Sequence, residues 1–192
     1  MSSTNRGAAR ITNDKYVTPA PAIDSLLDVL DIPRHDSFLE PCRGDGAILD
    51  RVECEIKWYT EIDEGKDYLT TQFGNFDLII TNPPFSLAIE FLEKSLSEAK
   101  SVFYLLRLNF LGSQRRKPFW DANPPSHVMV LSQRPCFVWI CKDCKYPYKP
   151  EFTRTCHECG GKVRAQTDSI EYAWFGWDRG NICKLPKGVH VL

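Results

Sequence analysis

The stretch Phe76-Asp77-Leu78-Ile79-Ile80-Thr81 is too apolar to lie on a surface, and it runs without a spacer into Asn82-Pro83-Pro84-Phe85. A strand of that make-up is buried on both faces, which is the condition of a parallel sheet covered by helices. Two consecutive prolines remove the backbone donors that would extend the strand, so it ends there. The tetrapeptide therefore stands at the carboxyl end of a buried strand, where open α/β sheets bind their ligands.

The rest of the chain supports a sheet of this kind. Ile23, Leu26, Leu27 and Leu30 recur at helical spacing before Pro33. Ser37–Glu40 reads as a short strand that enters Pro41-Cys42-Arg43-Gly44-Asp45-Gly46, and Ala47-Ile48-Leu49 opens a second helix. Strands follow at Ile56–Thr60 and Val102–Leu106, with a helix between residues 85 and 100 whose inner face is Ile89, Phe91, Leu92 and Leu96. Strand and helix thus alternate as in a parallel sheet with helices on both faces. After residue 127 the alternation stops. Val128–Leu131 and Ile170–Phe175 have no helix between them and suit an antiparallel pair at the sheet edge.

A chain of 192 residues has room for one α/β core. Residues 1–14 read as a flexible leader, and Met1–Arg10 lacks the apolar stretch of a secretory signal. No run approaches the roughly 18 apolar residues of a membrane span. The expectation is a cytoplasmic protein with no membrane partner. Its formal net charge of -1 means that any nucleic-acid contact must come from a local patch.

Three features carry chemistry. The first is Glu40-Pro41-Cys42-Arg43-Gly44-Asp45-Gly46, a strand-to-helix turn whose glycines let backbone approach a ligand closely. Read alone it is equally a plain tight turn, and it lacks the full dinucleotide fingerprint. The second is Glu61, 21 residues after Glu40 at the end of the next strand, where a carboxylate can accept both hydroxyls of a ribose. An isolated glutamate is more often a solvated loop residue.

Asn82-Pro83-Pro84-Phe85 is the third. The prolines confine Asn82 and Pro83 to extended geometry. The Asn82 side-chain oxygen and the Pro83 carbonyl then form a rigid pair of acceptors for the two hydrogens of an amino group. An exocyclic amine on a purine is a poor nucleophile because its lone pair is delocalised. Two acceptors draw it toward tetrahedral geometry and free that pair for in-line attack on a sulfonium methyl, so positioning dominates. Phe85 offers a flat face to a base taken out of the stack. The competing reading is a proline-rich turn with Phe85 in the core.

In this order, with Tyr16-x-Thr18-Pro19 ahead and Asp67-Tyr68-Leu69 after Glu61, the motifs resemble those of amino-methyltransferases, in particular small phage-type DNA adenine-N6 methyltransferases. Arg107-Leu-Asn109-Phe110-Leu111, Gln133-Arg134-Pro135-x-Phe137 and Tyr172-Ala-Trp174-Phe175-x-Trp177 share the resemblance, which covers residues 15–137 and 168–180. It implies a Rossmann-like methyltransferase fold: a mostly parallel seven-stranded sheet with an antiparallel edge hairpin. It also implies S-adenosylmethionine as cofactor, with Tyr16, Thr18, Pro19, Glu40, Pro41, Gly44, Gly46, Glu61, Asp67, Tyr68 and Asn82 around it. Thr18 and Gly44 would contact the methionine part, Glu40 its amino group, Glu61 the ribose and Asp67 the adenine amine. Asn82, Pro83, Pro84 and Phe85 would be the catalytic residues. DNA is the implied substrate, in the host cytoplasm if the protein is phage-encoded. RNA adenine or guanine, or a protein glutamine amide, would suit the same motif. Two departures stand out. Fifteen residues between Glu61 and Asp77 are too few for a helical crossover with a further strand. No sizeable target-recognition region follows the catalytic half.

Arg115, Arg116 and Lys117 are a basic run beside the expected mouth, suited to phosphate, and Trp120 can stack there or tuck against the body. Cys141-x2-Cys144-x11-Cys156-x2-Cys159 reads as a structural zinc site of four thiolates, and disulfides are disfavoured in a reducing compartment. The resulting domain reading is a methyltransferase unit at 15–137 and 168–192 with a zinc ribbon inserted at 138–167. Lys142, Lys145, Lys149, Arg154, Lys162 and Arg164, interleaved with Tyr146, Tyr148 and Phe152, equip the ribbon either for nucleic acid or for assembly. A non-enzymatic alternative is a zinc-ribbon binding module on a decayed methyltransferase fold.

Overall fold

A computed structural model of the chain describes residues 17–148, 154–167 and 169–192. The expected leader, Tyr16, Lys149 and Phe152 lie outside the described residues. In chain order the elements are α1 (Ala20–Leu27), β1 (Ser37–Glu40), β2 (Ile56–Tyr59), β3 (Phe76–Thr81), α2 (Ala88–Glu98), β4 (Ala99–Arg107) and α3 (Lys117–Ala122). They continue with β5 (His127–Val130), β6 (Val138–Cys141), β7 (Pro147–Tyr148), β8 (Val163–Gln166), β9 (Tyr172–Asp178) and β10 (Gly188–Val191).

Seven strands form the main sheet in the order β10-β5-β9-β4-β3-β1-β2. All neighbours are parallel except the pairs of β9 with β4 and β5. The expected antiparallel pair is thus present as β5 and β9, and β10 adds a parallel strand outside it. The strand β10 has no apolar alternation pointing to a core; Val189 and Val191 are 72% and 71% exposed, so its pattern does not announce a strand.

Alternation along the central strands sends side chains to two cores. Phe103 and Leu105 of β4 and Trp174 of β9 face α1, where Ala22, Ile23 and Leu26 are buried. Val102, Tyr104 and Leu106 face α2 together with Phe175 and Trp177. Each fully buried aliphatic here contributes about 1.5–3 kcal/mol of transfer free energy. The indole Nε1 of Trp174 donates to the Ala22 carbonyl at 2.7 Å, so α1 is fixed to the sheet by polar as well as apolar contact. At Gly176 a Cβ would stand 2.7 Å from Cε1 of Phe103, so only glycine lets the two strands close over that ring.

One expectation changes, and the short spacing after Glu61 has the effect expected of it. Residues 47–52 make successive turns, with Asp50 N–H on Gly46 and Val52 N–H on Ile48, and not a helix. The apolar signal there is genuine, since Ile48 and Val52 enter the α1 core, but the segment is too short before β2 to wind further. Between β2 and β3 the chain passes through a 3-10 turn at Ile62–Glu64 and a turn at 67–71 without forming a strand, leaving β2 as the sheet edge. The short spacing from Glu61 to Asp77 accounts for this. A separate three-stranded sheet, β7-β6-β8, carries the cysteine cluster.

Candidate active site and four-cysteine centre

The parallel strands β1, β2, β3 and β4 end on one side of the sheet, and their carboxyl ends bring Glu40, Thr60, Asn82 and Arg107 to that side. From β1 the chain enters the glycine turn, in which Gly44 and Gly46 have φ of +57° and +92°. Those values suit glycine, and the space where a Gly44 Cβ would stand is open. The Gly44 N–H donates to Glu61 Oε2 at 2.7 Å, and Asp63 N–H reaches Oε1 at 3.3 Å. Glu61 is thereby aimed at the turn and not at bulk water.

Glu40 is 2% exposed. Burial pushes its carboxyl well above the usual range; a bond from the Leu49 backbone and the charge of Arg43 offset this only in part. Its Oε2 has no hydrogen-bond partner among the described residues. An orphaned buried carboxyl oxygen beside an open glycine turn fits a ligand that brings a cationic donor, such as the ammonium of an amino acid.

Cys42 joins this turn to the prolines. Its Sγ lies 2.8 Å from Thr81 Oγ1 and donates to the Asn82 carbonyl at 3.5 Å, and burial raises the thiol far above its ordinary value. On the other side, Asn82 Nδ2 donates to Thr18 Oγ1 at 3.1 Å. The carboxamide is therefore held by its nitrogen, and its oxygen accepts nothing among the described residues. The Pro83 carbonyl is likewise without a donor there. Thr18, the glycine turn, Glu61 and Asn82 thus form one connected set.

Other sequence-derived residues fall differently. Pro19 caps α1 and Pro41 accepts from Thr60 Oγ1; both act on the backbone path. Asp67 Oδ1 caps the turn by accepting from Leu69 N–H at 2.9 Å. Tyr68, expected near the cofactor, is 1% exposed and points into the α2 core, where its hydroxyl meets Ser95 and Glu98 at 2.9 Å each. Its apolar ring decided that placement, and the hydroxyl found partners in the interior. Pro84 precedes the short turn that carries Phe85. That ring packs near Tyr172 with centroids 6.2 Å apart, and the Arg107 guanidinium lies over it at 4.7 Å.

Trp120 takes the tucked alternative. It stacks on Trp177 at 6.1 Å and meets Phe110 edge-on, with Nε1 buried. Arg116 bonds the Phe110 carbonyl at 2.7 Å and Lys117 pairs with Asp121, and Arg115 is exposed. Cys42 and Arg107 have no individual role in the reading of the sequence. The signal was available in both cases, since each stands at the carboxyl end of a buried parallel strand.

The four cysteine sulfurs lie within 4.8 Å of one another. Cys141 and Cys159 are 3.5 Å apart, as are Cys144 and Cys156, too far for disulfides. A tetrahedral zinc with bonds of about 2.3 Å separates its sulfurs by about 3.8 Å. The two turns are built alike. Lys145 and Gly160, each following the second cysteine of a pair, have φ of 63° and 73°. Their N–H groups return to Cys141 and Cys156 at 3.2 and 2.9 Å. The donor set and spacing fit a closed zinc site, with Cys136 outside it.

A cleft of about 580 Å³ opens one residue from Thr18, between α1, residues 131–136, Leu192 and the small sheet, which contributes Trp139; Arg154 also lines it. Among the described residues no helix is long and apolar enough to cross a membrane.

No protein-family model matches the sequence, and no curated protein matches it. Solved structures do. A protein described as a class I S-adenosylmethionine-dependent methyltransferase from Listeria monocytogenes superposes with TM-score 0.56 at 14% identity, over 95% of this chain and 67% of its own. One described as an RNA methyltransferase from Pyrococcus horikoshii gives 0.54 at 14%, over 88% and 90%. A dimethyladenosine transferase from Plasmodium falciparum gives 0.51 at 11%, over 83% and 60%. The chain has the Rossmann-like methyltransferase fold.

Proposed function

We propose that the protein transfers a methyl group from S-adenosylmethionine to an exocyclic amino nitrogen, the N6 of adenine in DNA. The observation that carries this is the Asn82 carboxamide. Its nitrogen is anchored on Thr18, while its oxygen and the Pro83 carbonyl, just past the end of β3, accept nothing among the described residues.

Glu40, Gly44 and Glu61 are the residues that would hold the cofactor, Glu40 through its orphaned oxygen and Glu61, beside Gly44, at the ribose hydroxyls. Asp67 would serve the adenine end. S-adenosylmethionine, when bound, supplies an electrophilic methyl. Asn82 Oδ1 and the Pro83 carbonyl accept the two amine hydrogens and tilt the nitrogen lone pair out of conjugation. The amine becomes acidic once it has formed its fourth bond, so its proton can pass to water without a strong protein base. Phe85, flanked by Tyr172, bounds the place of the base.

The small sheet would act as a zinc ribbon, and its Trp139, with Arg154, facing the cleft, favours contact with substrate over a purely stabilising role. The test is transfer of labelled methyl to unmethylated duplex DNA, single-stranded DNA and RNA in parallel, followed by nucleoside analysis. Label recovered as N6-methyladenine in DNA supports the proposal. Label only in RNA shifts the substrate, and label in no polymer, with cofactor bound, points to a protein amide.

A further inference from the structure

The geometry points to Arg107 as the residue that takes the backbone phosphate of the target nucleotide. This rests on the reading of the Asn82 site given above and names what makes it a nucleic-acid site. Arg107 is the last residue of β4, paired in register with Tyr172 of β9. Its guanidinium lies over the Phe85 ring at 4.7 Å, within the same group of side chains that bounds the place of the base.

Among the described residues the other half-buried Lys and Arg side chains have acceptors. Arg43 pairs with Glu64, Arg116 bonds the Phe110 carbonyl, and Lys94 pairs with Glu98 at 2.8 Å. Arg107 has no ion pair or hydrogen bond among the described residues, and its Nε is buried without a partner. Glu171, next to the Tyr172 that Arg107 pairs with in register, is already bonded by the Arg134 guanidinium. A π face holds the guanidinium in place without neutralising it. A positioned, uncompensated fork of donors at a catalytic mouth is matched by a phosphate, which accepts two of its N–H groups side by side. A protein amide brings no such anion, so Arg107 discriminates for a polynucleotide. The other anion within reach of such a site is the carboxylate of the cofactor, and the two are separable by experiment.

The measurement compares wild type, Arg107→Gln and Arg107→Lys. Cofactor affinity is taken by calorimetry; KM, kcat and the salt dependence of binding are taken with unmethylated genomic DNA fragments. Loss of a charge-assisted contact raises KM for DNA by about tenfold or more in the glutamine variant. It also lowers the slope of log affinity against log salt by about one, while cofactor affinity stays within about twofold. The lysine variant keeps the slope and recovers part of KM. Retained cofactor binding shows that the variants fold. An unchanged KM and slope in Arg107→Gln, with wild type active on DNA, overturns the inference alone. Loss confined to cofactor affinity also overturns it and reassigns Arg107 to the cofactor carboxylate. Wild type that neither binds nor methylates DNA or RNA overturns the reading of the site as well.

Discussion

Replacing Asn82 by alanine separates the cost to the fold from the cost to the reaction. In the fold the side chain makes one hydrogen bond, Nδ2 to Thr18 Oγ1 at 3.1 Å, from a half-buried position. A net contribution of about 1 kcal/mol is expected for such a bond. For a chain of this size that lowers the melting temperature by about 2–4 °C. In the reaction the missing carboxamide oxygen is one of two acceptors that act as charge develops on the nitrogen. Loss of a preorganised group of this kind costs about a hundredfold to a thousandfold in rate, about 2.7–4 kcal/mol. The rate should therefore fall far more than stability does. Single-turnover transfer of labelled methyl at saturating cofactor measures it, with cofactor affinity taken separately and expected to hold. Thr18→Val removes only the anchor, and about a tenfold loss in kcat is expected, since the carboxamide can then rotate. Because Thr18 acts on kcat through Asn82, the double variant should be no slower than Asn82→Ala. Additive losses, or an Asn82→Ala enzyme within tenfold of wild type, would refute the assignment.

Three further outcomes are expected. Glu40 is held well above its usual range by burial, so a cationic ligand group beside it should expel a proton. Calorimetry in buffers of different ionisation enthalpy should show proton release on cofactor binding, with affinity rising as pH rises toward the carboxyl's value in the free protein. Release of no proton at any pH below that value would separate Glu40 from the ammonium. Metal analysis should find about one zinc per chain, and its removal should unfold the small sheet; a metal-free protein with unchanged circular dichroism and activity would remove zinc from the account. Asp77 is lowered to about 2, first by the Lys100 hydrogen bond and then by the Ser37 N–H. A depressed carboxyl stabilises above its unfolded value near 3.8 and loses that contribution as pH falls through about 2. Asp77→Asn should therefore cost about 1 kcal/mol at pH 7 after solvent screening and flatten the acid limb of a stability curve. A variant with an unaltered acid limb would deny the ion pair that role.

How much of this was legible beforehand follows from the range of the interactions involved. Strand β3 and its terminating prolines, the face of α2 and the paired cysteine turns are local patterns. Hydrophobic period, proline geometry and ligand spacing act over a few residues, and the sequence alone determines them. It determined as well that an α/β sheet would present Asn82 and the glycine turn at one edge, since both follow buried strands. Tertiary structure decided the rest. Residues 47–52 have a helical pattern but not the length, β10 pairs with β5 with little apolar signal of its own, and Tyr68 went to the core with its apolar ring, its hydroxyl meeting Ser95 and Glu98 of α2 there. The bond from Asn82 to Thr18 spans 64 positions, and the guanidinium of Arg107 meets Phe85 across two strands. No local window contains both partners of such a contact. Which oxygen is left open, and which charge is left unpaired, emerges only when the whole sheet is assembled.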